Sequence, residues 1–91
     1  MTDLPAGFRA GFALPQVFPD GTIDIEVIRE ISIKAEAAGY DSLWTQDKLV
    51  GQSQSIEPIT LLSYVAGFTT TARLGVSVLV LPVRDPVTLA K

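Results

Sequence analysis

Apolar residues fall along this chain in two alternating kinds of segment, short unbroken runs and longer stretches in which they recur every three or four positions. The first run, Arg9 to Leu14 (RAGFAL), is apolar toward both faces and closed by Pro15, which suits a buried parallel strand better than a half-solvated hairpin strand. After a loop rich in turn residues (PQVFPDGT), Thr22 or Asp24 can cap a helix whose apolar positions include Ile28, Ile31, Ala35 and Ala38. Gly39 should end it. Asp41 to Thr45 is too short for a helix and rich in residues that suit a second strand. A polar loop, Gln46 to Glu57, leads to Pro58, which a first helical turn tolerates, and then to Leu61, Leu62, Val65 and Ala66 at helical spacing. This second helix is expected to end near Thr70 or Ala72. Leu74 to Leu81 is almost continuously apolar and β-branched, as in a strand covered on both faces, and Pro82 stops it. Asp85 and Pro86 then open a last short helix.

Strand and helix alternate three times at spacings of roughly 30 residues, the rhythm of βαβ units in a parallel sheet with right-handed crossovers. The class is therefore α/β. On pattern alone a barrel and an open doubly wound sheet both fit. The 91 residues, 47% of them hydrophobic, hold at most one small domain, with no linker or low-complexity tract to divide it.

A net charge of -3 without a basic cluster gives no footprint for nucleic acid or an anionic membrane. A small-molecule substrate is the expected partner. No charged-then-apolar leader opens the chain, and the longest nearly apolar stretch, Leu74 to Val83, is too short to span a bilayer as a helix. The absence of cysteine fits a reducing compartment, so a cytoplasmic location is expected. Histidine is absent too, which removes the usual general base, the usual zinc ligand and any Ser-His-Asp arrangement. Chemistry must come from carboxylates, hydroxyls, Lys, Arg or a bound cofactor. Gly7 and Gly11 lack the spacing and the following Lys-Ser/Thr of a phosphate loop.

Two stretches carry a resemblance. AAGYDSLWTQDKL at Ala37 to Leu49 and TARLGVSVLVLPVRDPVTLAK at Thr71 to Lys91, with GFALPQ near the start, are similar to the signature segments of the luciferase-like monooxygenase family. The resemblance implies a TIM-type (β/α) barrel of which this chain holds the first three βα units, binding reduced FMN or the 8-hydroxy-5-deazaflavin coenzyme at the C-terminal ends of its strands. It also implies an oxidoreductase whose hydride or oxygen chemistry belongs to the cofactor ring.

Site residues follow from position and resemblance together. Asp47 comes directly after the second strand, on the rim where barrel enzymes keep their sites. In deazaflavin-dependent relatives this position is an active-site Asp followed by His; here Lys48 follows, able to donate a proton or hold an anionic group. Ser77 and Val78 match the place where many relatives carry a non-prolyl cis peptide backing the middle ring of the cofactor. Trp44 either borders the substrate pocket or packs as core. Arg84, beyond the third strand, either steadies an anionic substrate or joins a loop ion pair.

Relatives run several times longer, so the inner faces of these strands lack the cover a closed barrel would give. The chain alone is expected to be unstable, to self-associate as a homo-oligomer or to be part of a longer polypeptide, and neither to bind FMN tightly nor to turn over a substrate. A non-catalytic partner subunit of the same family and a small open α/β binding module are the competing readings.

Overall fold

A computed structural model of the chain describes residue 7, residues 9–18, 20–47 and 55–80, residue 82 and residues 84–90. Six elements follow one another: β1 (Gly11–Ala13), α1 (Ile25–Ala37), β2 (Ser42–Thr45), α2 (Pro58–Ala66), β3 (Arg73–Val76) and α3 (Pro86–Leu89). The strands form one sheet in the order β1-β2-β3, both pairs parallel, with Ala13 beside Trp44 and Trp44 beside Gly75.

Alternation along β2 decides which face is the core. Leu43 and Thr45 are buried while Trp44 between them is exposed, so helices cover one side of the sheet only. On the covered side Leu43 meets Ile28 and Ala35 of α1 and Leu61 and Val65 of α2, with Phe12 and Leu74 packed against the cluster. Ile28, Leu43, Leu61 and Val65 are essentially fully buried, each contributing about 1.5–3 kcal/mol. On the other side Gly11, Ala13 and Trp44 stand exposed, whereas the apolar pattern of the first strand suggested burial on both faces.

Asp24, one of the two expected caps, accepts from the Val27 N–H and starts α1. The helix stops as expected at Gly39, whose φ of 97° is the left-handed conformation that glycine adopts without strain. Gly39 N–H donates to Glu36 and Tyr40 N–H to Ala35, the paired bonds of a Schellman ending.

Two expected boundaries are corrected. The second helix ends at Ala66 rather than near Thr70 or Ala72, because Gly67 caps it, Phe68 and Thr69 N–H fold back onto Val65 C=O, and the N–H groups after them turn elsewhere. Those of Thr70, Thr71 and Ala72 all donate to the Glu36 carboxylate, at 2.9 Å for each closest contact. The third strand is Arg73–Val76, not Leu74 to Leu81. Ser77 N–H still reaches Thr45 across the ladder at 2.8 Å, but Val80 N–H donates to the Asp47 side chain instead of a neighbouring strand. An apolar run records burial preference and not where the backbone leaves the sheet. No helix among the described residues is long and apolar enough to cross a membrane.

Candidate functional site

A cleft of about 310 Å³ opens at the C-terminal ends of the three strands, the end at which barrel enzymes keep their sites. Ala13 and Leu14 line it from β1, Trp44 and Thr45 from β2, and Ser77 from the segment after β3. No lining side chain among the described residues is charged.

Trp44 lies flat across the open face. A Cβ built on Gly11 would stand 2.5 Å from the indole nitrogen, and one on Gly75 would stand 2.6 Å from the far ring edge. The indole therefore spans from β1 to β3 over two residues that have no side chain to obstruct it. Its N–H donates to the Ser42 hydroxyl at 2.7 Å, which fixes the ring's orientation. Gly75→Ala should push the ring out of this slot at a cost of about 1–3 kcal/mol, as overpacking usually does. Because Trp44 is the only tryptophan, a shifted emission maximum in that variant would report it directly, and unchanged emission would contradict the placement.

On the rim, Asp47 and Arg84 come together. Asp47 Oδ2 accepts from the Val80 N–H at 2.8 Å and from Arg84 Nη2 at 3.0 Å. The same Nη2 donates to Glu57 at 2.8 Å, so one guanidinium ties the end of β2 to the start of α2. Side-chain exposure of 5% for Asp47 and 19% for Arg84 sets this pair apart from Asp41–Arg73, which is open to water at 3.4 Å and contributes little. Asp47 and then Glu57 hold the Arg84 guanidinium more firmly protonated than usual. For Glu57, burial is the largest single influence and opposes ionisation. Hydrogen bonds from Thr60, Arg84 and Ile59 together outweigh it and bring the carboxyl below its ordinary range.

The expected residues other than Lys48 each have a definite place. Trp44 and Ser77 share the cleft. The Ser77–Val78 peptide bond is cis, and Val78 is 75% exposed. Arg84 is engaged by Asp47 and Glu57, while the adjacent Asp85 caps α3 through Val87 and Thr88. Asp47, on the rim, is directed at Val80 and Arg84 and is not among the cleft's lining residues. Lys48 lies outside the described residues.

Gln16 escaped the sequence reading, although a polar residue closing the apolar run RAGFALP was a signal. It lines the cleft, is 9% exposed, and joins Gln46 and Ile56 through its side chain. Glu57 was likewise missed as a partner for Arg84. No group of His, Cys, Asp and Glu among the described residues could hold a metal ion.

Comparison with known families matches residues 8–91 to the model described as luciferase-like monooxygenase. No curated protein and no solved structure matches the chain.

Proposed function

The chain belongs to the luciferase-like monooxygenase family, and from that premise we propose that it supplies the first βα units of a flavin- or deazaflavin-dependent oxidoreductase barrel, with the cleft beside Trp44 meeting the cofactor ring. The observation that carries this reading is the cleft itself, placed at the C-terminal ends of parallel strands and floored by a flat indole.

The residues present fit a planar ring and not a phosphate. Trp44 offers an aromatic surface, Ser77 lines the same cleft, and among the described lining residues there is no cation for an anionic tail. FMN and 8-hydroxy-5-deazaflavin coenzymes share that planar ring, so these residues serve either. Either reduced ring, when bound, would supply hydride, and the flavin, with dioxygen, oxygen-transfer chemistry as well. The chain's own task is to bind, orient and exclude water. Arg84, already shared by two carboxylates, serves as a tie across the rim rather than as a receptor for an anionic substrate. Asp47 acts by holding the turn that carries Ser77 and Val80 beside the cleft, and Lys48, its neighbour in sequence, is the cation proposed to meet substrate.

Fluorescence of the single Trp44 tests the reading, with lumiflavin (the flavin ring without its phosphate-bearing tail) compared against FMN. Both should quench it with similar, weak affinity, in the range of about 0.1–1 mM. Quenching by neither would sink the proposal, and FMN binding tenfold more tightly would place a phosphate site where none is expected.

A further inference from the structure

Gln16 uses its side chain as a strand uses its backbone. The amide oxygen accepts from Gln46 N–H at 2.6 Å, and the amide nitrogen donates to Gln46 C=O at 2.7 Å and to Ile56 C=O at 3.2 Å. The two bonds to Gln46 extend the β1–β2 ladder beyond its last backbone rung, Leu14 N–H to Trp44 C=O at 2.9 Å. The Gln16 backbone C=O accepts from Ile56 N–H at 3.2 Å, and Val17 bridges Ser55 beside it. Both donors of the amide and one acceptor are thus committed to backbone groups that are 30 and 40 residues away in sequence. No other residue type matches this demand. Glu would set a carboxylate against two carbonyls, Asn is one methylene short, and Met fills the space without a bond.

We infer that Gln16 is a positioning residue for the proposed site, an inference that rests on the cleft being that site: it fixes both polar backbone groups of Gln46 and so sets where Asp47 stands. Asp47 in turn takes the Val80 N–H and Arg84, so the position of the turn after β3 is inherited from a side chain on the loop after β1. Two sides of the cleft are registered against each other in this way.

Amide hydrogen exchange on the ¹⁵N-labelled chain tests this without a ligand. Gln16→Met keeps length and shape while removing every side-chain bond. It should speed exchange at Gln46 and Val80 by about tenfold or more, and leave Thr71 and Ala72, which Glu36 holds elsewhere, within about twofold. Acceleration spread evenly over all four would mean a merely structural role and overturn the inference, as would an unchanged Val80. Should Gln16→Met not fold, the wild-type Gln16 side-chain NH₂ decides, since protection of both protons is required and solvent-like exchange overturns it. A lumiflavin titration followed by Trp44 fluorescence supplies the link to the site. Gln16→Met should weaken binding by about fivefold or more, and undiminished binding overturns the positioning role. If lumiflavin fails to quench the wild type, the reading of the cleft falls, while the exchange pattern still judges the coupling of Gln16 to Asp47.

Discussion

Replacing Glu36 with Ala is expected to cost about 2 kcal/mol, because three consecutive backbone N–H groups lose one charged acceptor. Bonds to a charged group are each worth about 1.5–3 kcal/mol when shielded, but Thr70 and Thr71 lie in solvent and water replaces much of what they lose. Only the Ala72 N–H is partly covered. For a domain of this size the loss corresponds to a melting temperature lower by about 8–16 °C. The effect should depend on pH. The Ala72 N–H, the largest influence, together with those of Thr71 and Thr70, holds the Glu36 carboxyl below its ordinary range against an opposing contribution from burial. A carboxyl with a lowered folded pKa stabilises above its unfolded pKa of about 4.3 and ceases to do so as pH falls through the folded value. The gap between wild type and Glu36→Ala should therefore be full at neutral pH and close in acid. Glu57 and Asp85 are also lowered, but they are common to both proteins and cancel in the difference. A gap that persists unchanged in strong acid would show that Glu36 acts by packing.

That carboxylate illustrates which parts of the fold were legible. Helix and strand order could be read because periodicity encodes which face is buried, and Asp24 and Gly39 mark α1 by chemistry that is local in sequence. Long-range acceptors carry no such mark. Glu36 sits in the last turn of α1, where the helix dipole disfavours an acid, and this was a legible hint that its charge is used elsewhere. Its partners, 34 to 36 residues onward, could not be named. The overlong third strand has the same origin, since Val80 is as apolar as its neighbours and only the approach of Asp47 removes its N–H from the ladder.

In the site, type was more legible than role. Trp44, Asp47, Ser77 and Arg84 were singled out from position and resemblance, and all four stand at one rim. The flat lie of the indole depends on Gly11 and Gly75 occupying the flanking strands in register, a fact of sheet pairing that no local pattern contains. Gln16 shows the converse case. Its type and burial could be suspected, but its purpose appears only once Gln46 and Ile56 are brought beside it.

Asp47 carries the sharpest test, because its bonds to Val80 and to Arg84 separate under substitution. Asn retains an oxygen to accept from Val80 but abolishes the charge facing Arg84, whereas Ala abolishes both. If Asp47 positions the turn beside the cleft, losses should be graded. Asp47→Ala would leave the part-buried Val80 N–H without its acceptor, at about 1–3 kcal/mol, and let the Ser77 side of the cleft drift. A displacement of about 1 Å at a reacting centre can cost about 10²-fold in turnover. Asp47→Asn should lose only about tenfold, with a melting temperature close to wild type. Acid/base action gives a different order, in which Asn and Ala are equally inactive, each down by about 10²-fold or more, although Asn leaves the fold intact. Turnover with a reduced flavin-type coenzyme, measured in the complete barrel of which the chain is proposed to supply the first units, and melting temperature, both for each variant, therefore distinguish the roles. Equal inactivity with unequal stability would end the positioning account and return Asp47 to the chemistry.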